Sequence, residues 1–484
     1  MLAKFKKKYI GDWDFYQKYL LLAIPMILQN AITNLVSFLD NIMVGQLGTE
    51  QMSGVAIVNQ LIFVYNLAIF GAVSAASIFG AQYFGKGNHK GHMYSFRFKL
   101  YATLLVTGGA ILLFLTKGSA LISLYLTDTV GLNAGIVGTL MMFSKFADGV
   151  TVGNGATDLA LQYGLEYLAI MMVGLIPFAV NQSYATNIKE TGQTFIPMLA
   201  SFVAVGTNAI LDYLMIFGIG PFPELGVQGA ALATVIARYI EALIVVIWAH
   251  IHRGKNRYLE GAYTSFGIPL AELKAILIKG FPLMMNEVLW AAGMTTVTQC
   301  YSVRGLDVVA GLNIASTITN LFNIVYLQLG SCISIVVGQY LGAGKLEDAK
   351  DADNKMIVFS VFCCVIMAVL MFVVGGFFPG IYNTTEEIRE LATSFIAVSA
   401  IIMPFCAFSH ASYFTLRSGG KTVVTFLFDS VFTWVIVVPA AYLLAHFTGL
   451  GIVSIYFLVQ GTELIKVIIG YLMVKSNVWV VQMV

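Results

Sequence analysis

Windows of about twenty apolar residues, each long enough to cross a hydrocarbon core of roughly 30 Å, recur twelve times along the chain. They lie near 18–44, 52–80, 98–124, 161–187, 194–217, 226–250, 272–301, 308–338, 356–380, 388–415, 422–445 and 450–474. The expected fold is therefore an all-α polytopic membrane protein. Composition agrees: 58% of residues are AVILMFWYC and 11% are charged, whereas soluble domains carry roughly 25% charged residues. The surplus apolar surface requires lipid. The first window begins near Tyr16 and runs past twenty residues without a small-residue cleavage signal, so it reads as a retained span.

Charge placement gives an orientation. The net charge is only +2, from 27 basic and 25 acidic residues, so no basic face suggests nucleic acid. With the amino terminus inside, 21 of the 27 basic residues fall on the inner face and four outside (Lys117, Lys145, Arg304, Arg389), with Arg238 and Lys466 within spans. The positive-inside rule then puts both termini in the cytoplasm. The five cysteines, Cys300, Cys332, Cys363, Cys364 and Cys406, lack CxxC spacing and read as small core residues. The histidines are scattered and offer no metal-ligand set.

The chain is internally duplicated. An offset of 257 pairs Pro25 with Pro282, Gly48 with Gly305, Gln82 with Gln339, Gly85 with Gly342, Gly87 with Gly344 and Thr127 with Thr384. The offset falls to 228 at Gly192 and Gly420, and to 225 at Leu225 and Leu450. Two six-helix units in parallel orientation follow, forming two lobes around a central cleft, an architecture suited to alternating access. The expected divisions are an amino-terminal lobe over 1–250, a cytoplasmic linker over 251–271 and a carboxy-terminal lobe over 272–484. The change of offset marks a 29-residue external insertion over 129–157, either a surface excursion or a lid over the first lobe.

Carboxylates inside spans are costly and ask for a reason. Asp40 lies toward the outer end of the first span, on a stripe with Thr33 and Ser37 that Asn30, Asn34 and Asn41 widen. Asn208 and Asp212 are one turn apart on the fifth span, and Thr234 of the sixth sits at a similar depth, on the order of 10 Å inside the outer boundary. Two carboxylates, an amide oxygen and a hydroxyl make a hard oxygen cage for a small cation, and paired carboxylates also suit proton exchange. The alternative is a set of helix-bridging hydrogen bonds. The repeat partner of Asp40 is Val297 and that of Asp212 falls near Ala440, so the cage belongs to one lobe.

Glu287, at the repeat position of Asn30, would face the cleft if Pro25 and Pro282 begin equivalent bends. It reads either as a binding residue for a cationic substrate or as a packing residue. Arg238 with Glu241, and Glu463 with Lys466, are i to i+3 pairs that read as structural ion pairs.

These residues carry a resemblance to the multidrug and toxic compound extrusion (MATE) transporters, over roughly 12–475 apart from the insertion. The matching strings are IPMILQN, FLDNIMVGQLG around Asp40, AQYFGKGN, NAILDYLMIFGIGPFPELGVQGAALATVIAR and GQYLGAGK. The resemblance implies that Asp40, Asn208, Asp212 and Thr234 are the first-lobe Na+ or H+ coupling residues and that Pro25 is the proline at which the first helix bends. Two departures stand out. Tyr213 follows Asp212 where many relatives have proline, and the tenth span around Phe405 to Thr415 has no carboxylate where some branches place a second-lobe cation site, with His410 there instead.

The expected function is a secondary antiporter that exports organic cations or amphiphilic drugs in exchange for Na+ or H+. It would act as a monomer in the cell membrane and need no cofactor besides the coupling ion. A lipid or lipid-linked oligosaccharide flippase of the same broad superfamily is the alternative. No GxxxxGK[ST] loop points to ATP as direct fuel, and no Asp-rich or His-containing cluster at a membrane face points to an enzyme.

Overall fold

A computed structural model describes residues 9–127 and 155–484. These form twelve long helices: α1 (Trp13–Gly45), α2 (Thr49–Lys86), α3 (His89–Thr127), α4 (Gly155–Glu190), α5 (Phe195–Ile216), α6 (Gly226–Ile251), α7 (Leu270–Ser302), α8 (Leu306–Gly342), α9 (Leu346–Gly375), α10 (Glu386–Ser418), α11 (Thr422–Phe447) and α12 (Ile452–Lys475). Helices α2 to α12 are long and apolar enough to span a bilayer among the described residues, and α1 has 33 residues. There is no strand among the described residues, as expected where lipid cannot satisfy an open sheet edge. The expected insertion, 129–157, lies outside the described residues except for 155–157, which open α4.

The duplication is visible in how helices end. Helix α2 closes with Asn88 N–H donating to Tyr83 O at 2.9 Å around Gly87 at φ +73°, and α8 closes with Lys345 N–H donating to Tyr340 O at 3.0 Å around Gly344 at φ +73°. Both are left-handed glycine caps that satisfy the last carbonyls. The same cap recurs at Gly192 and Gly420, which share the 228 offset.

The helices gather into two compact units, each with its own apolar core. The first comprises Leu28–Gly80 and the described residues of His89–Ile276 and is centred on Val58, Leu175 and Ile216. The second comprises the described residues up to Ile27, Ala81–Asn88 and Leu277–Val484, centred on Phe395, Met371 and Ala441. Helix α1 therefore divides just after Pro25. Its opening turns pack in the second unit, where Tyr19 OH donates to Leu329 O at 2.9 Å.

Within the second unit the ends of α2 and α8 cross at a reciprocal contact. A Cβ on Gly85 would meet the carbonyl of Gln339, and one on Gly342 would meet the carbonyl of Gln82, the repeat partner of Gln339. The residues after α12 lie over this crossing: Met483 N–H donates to Gln82 Oε1 at 2.8 Å and Gln482 Nε2 to Gly342 O at 3.1 Å. In the first unit, Arg97 on α3 donates to the carbonyls of Ala262, Gly267 and Gly261 at 2.8, 2.7 and 2.6 Å, tying down the connection between α6 and α7.

Candidate functional site

The buried face of α5 reads Pro197, Ala200, Ser201, Ala204, Asn208, Asp212, Met215. This three-to-four-residue spacing puts its polar members on the side that packs against the rest of the first unit. Helix α6 meets α5 closely because a Cβ on Gly229 would stand only 2.6 Å from the Met215 carbonyl, so only glycine admits that approach. One consequence is that Asn208 Nδ2 reaches Thr234 Oγ1 at 3.4 Å.

Asp212 is fully buried and Asn208 nearly so, while Asp40 is half-buried. The Asp40 and Asp212 carboxyls lie within electrostatic reach of one another, and Asn208 lies beside Asp212. Asp40 Oδ1 and both Asp212 carboxylate oxygens are buried, and no hydrogen bond of good geometry reaches them although Asn208 and the facing carboxyl stand close. The first unit thus brings together the four residues that the sequence singled out. Orphaned buried oxygens of this kind normally find a donor, water or ion, and two close carboxylates repel unless a cation or proton neutralises them. The cluster fits a small monovalent cation or a shared proton. The repeat position of Asp40 in the second unit is Val297, a buried apolar residue.

Tyr167 joins this cluster without any mark in the sequence. This α4 residue is buried in the field of Asp40, Asp212 and Arg238, and its hydroxyl lies 3.5 Å from Asn59 Oδ1 on α2. Asn30 stands on α1 two to three turns before Asp40, with its carbonyl accepting from Asn34 Nδ2 at 2.9 Å. Pro25 is buried inside the continuous α1.

Glu287 belongs to the second unit and to a different cluster. It lies within electrostatic reach of Arg417 and Asp429, and its neighbour Asn286 donates to Asp429 Oδ2 at 3.1 Å. Asp429 in turn binds Lys466 Nζ at 2.6 Å. This corrects the i to i+3 pairing. Lys466 crosses to α11, and Glu463 Oε1 is left buried without a partner. The Arg238 and Glu241 pairing fails as well: Arg238 Nη1 has no partner and its guanidinium sits 5.2 Å from the Phe178 ring centroid, while Glu241 accepts from Ser201. Side chains three residues apart on a helix leave in similar directions, but here Lys466 and Glu241 each find a better-placed group on a neighbouring helix. Asp429 also sits where α11 widens into π-helical turns over Leu427–Val431 and Thr433–Val437, ahead of Pro439.

The sequence profile of the MatE family matches residues 25–147 and 282–443, one stretch in each repeat. The chain belongs to the MATE family. MATE proteins are membrane transporters and not enzymes, which agrees with a polytopic chain whose buried charges face one another inside helical units. Among curated proteins, it is similar to the probable multidrug resistance protein NorM of Thermotoga maritima, 23% identical over 433 residues, covering 90% of this chain and 86% of that one. NorM of Halalkalibacterium halodurans is also 23% identical, covering 90% and 88%. Among solved structures, an outward-facing multidrug resistance MATE transporter of the MOP superfamily superposes with a TM-score of 0.81 at 19% identity over 96% of each chain. A MOP superfamily transporter from Pyrococcus furiosus superposes with a TM-score of 0.77 at 18% identity, also over 96% of each. At these identities the superpositions show the fold.

Proposed function

We propose that this MATE protein is a secondary active antiporter, with both termini cytoplasmic, that exports organic cations or amphiphilic drugs in exchange for Na+ or H+. The observation that carries the reading is the carboxylate pair Asp40 and Asp212, with three buried oxygens that no hydrogen bond of good geometry reaches and with Asn208 and Thr234 beside it. A fixed pair of charges in a membrane protein has to be neutralised, and an exchangeable cation or proton does so while linking the site to an electrochemical gradient. The relatives named as probable multidrug resistance proteins support the substrate class.

In this reading the coupling ion binds at Asp40, Asp212, Asn208 and Thr234, and α1 changes its path near Pro25 as the lobes alternate. The division of α1 between two compact units just after Pro25 supports that role. Glu287 and Asn30 contact substrate from repeat-equivalent positions. No further cofactor takes part, and a single copy suffices. Counterflow in proteoliposomes with imposed Na+ or H+ gradients and a panel of cationic dyes tests the proposal. Gradient-driven accumulation of dye is expected, and transport indifferent to both gradients would refute it.

A further inference from the structure

Deeper along α1, α5 and α6 lies a second polar cluster, and the repeat contains its counterpart with the polarity reversed. In the first unit Gln29 Nε2 on α1 donates to Ser201 Oγ on α5 at 2.8 Å, and Ser201 donates to Glu241 Oε1 on α6 at 2.5 Å. In the second, Asn286 Nδ2 on α7 donates to Asp429 Oδ2 on α11 at 3.1 Å, and Lys466 Nζ on α12 donates to Asp429 Oδ1 at 2.6 Å. The offsets of 257, 228 and 225 map Gln29 onto Asn286, Ser201 onto Asp429 and Glu241 onto Lys466. Equivalent helices therefore meet at equivalent residues.

The two clusters differ in how their charge is neutralised. Asp429 is held by the tethered ammonium of Lys466. Glu241 makes no ion pair among the described residues; Arg238 and Lys189 act on it only through space. Two oxygens at this cluster are buried and unsatisfied: Gln29 Oε1, and Oδ1 of Asn181, an α4 residue that is 3% exposed and whose side-chain amide hydrogen-bonds Glu241. A carboxylate linked to two side chains with spare amide oxygens, Asn181 directly and Gln29 through Ser201, offers oxygen donors of the kind a hard cation takes. No group of three or more His, Cys, Asp or Glu among the described residues suits a transition metal. The charges of Arg238 and Lys189 oppose a divalent ion and weaken a monovalent one.

We propose that Gln29, Asn181 and Glu241 form a second cation site, taking Na+, with Ser201 orienting the carboxylate. Ser201 and Glu241 each lie seven residues from Asn208 and Thr234 in the same axial direction, since α5 and α6 run antiparallel. The site is therefore about 10 Å from the Asp40 cluster, toward the start of α1. It is a station on the path of an ion entering or leaving that cluster. Its part in transport rests on the antiport reading; its binding of Na+ does not.

The test is calorimetric titration of Na+ into the full chain in lipid nanodiscs, at constant ionic strength with choline as the replacement. Asp40→Asn/Asp212→Asn removes the outer carboxylates and should retain one saturable Na+ event. Adding Glu241→Gln should weaken that event by about tenfold or more. Adding Ser201→Asp/Glu241→Lys, which copies the second repeat, should abolish it in a protein that still melts cooperatively, and this variant decides the matter if Glu241→Gln fails to fold. Absence of any saturable Na+ event in Asp40→Asn/Asp212→Asn, or an event unchanged by Ser201→Asp/Glu241→Lys, would overturn the proposal. Failure of the antiport reading would look different: no gradient-driven dye movement in wild-type proteoliposomes while the inner Na+ event persists.

Discussion

Asp40 on α1 and Asp212 on α5 face one another inside the first unit, and Asp40 Oδ1 and both oxygens of Asp212 are buried with no hydrogen bond of good geometry. A structural requirement of the repeat would recur at Val297, where the chain instead buries an apolar side chain.

The Asp429 and Lys466 pair is expected to be structural. Its side chains are 15% and 8% exposed, and removing one partner of a buried pair costs about 3 to 5 kcal/mol because the other charge is stranded. Lys466→Met and Asp429→Asn should each lower the yield of folded protein sharply, and the double variant should recover most of it. Fluorescence-detected size-exclusion chromatography in detergent reads this directly. For Arg238 and Glu241, which form no contact pair, a charge-swapped double variant should give no recovery beyond the single changes.

The reciprocal glycine crossing gives a second expectation. A methyl group at Gly85 or Gly342 drives into a backbone carbonyl that has no rotamer to escape through. Gly85→Ala and Gly342→Ala should each cost about 1 to 3 kcal/mol through overpacking, visible as a lower melting temperature in nanodiscs. Gly108→Ala and Gly109→Ala, inside α3 where nothing stands within 4 Å, should not lower it, since alanine favours a helix interior over glycine.

Arg97 supplies three charge-assisted hydrogen bonds to the α6–α7 connection. Such bonds contribute roughly 1.5 to 3 kcal/mol each when their geometry is good. Arg97→Met should therefore expose the segment 261–267, and limited proteolysis should cut there several times faster than in the wild type while the helical units stay intact.

Much of this architecture was legible in the sequence, for a physical reason. Lipid forces each span to be long and apolar, so the span count follows from hydropathy, and duplication preserves glycines such as Gly87 and Gly344 that cap equivalent helices. The Asp40, Asn208, Asp212 and Thr234 cluster was legible because polar side chains in apolar helices are rare and share a depth. Asp429 was missed inside an apolar run, although the 228 offset pairs it with Ser201. The partners of Lys466, Arg238 and Glu241 were misjudged because spacing along one helix says nothing about a group arriving from the next. Tyr167 gave no signal at all, since an aromatic residue in a span is ordinary until its neighbours are known.

Asp40 is the residue on which gradient coupling depends in this proposal. The most direct measurement is export of a cationic dye from proteoliposomes under an imposed Na+ or H+ gradient, comparing wild type with Asp40→Asn at matched reconstitution and matched melting temperature. Gradient-driven export should be abolished in Asp40→Asn and in Asp212→Asn, with smaller losses in Asn208→Ala and Thr234→Ala, whose neutral oxygens contribute less to holding a cation. Export at the wild-type rate by a folded Asp40→Asn protein would contradict the assignment of the coupling site to this carboxylate pair.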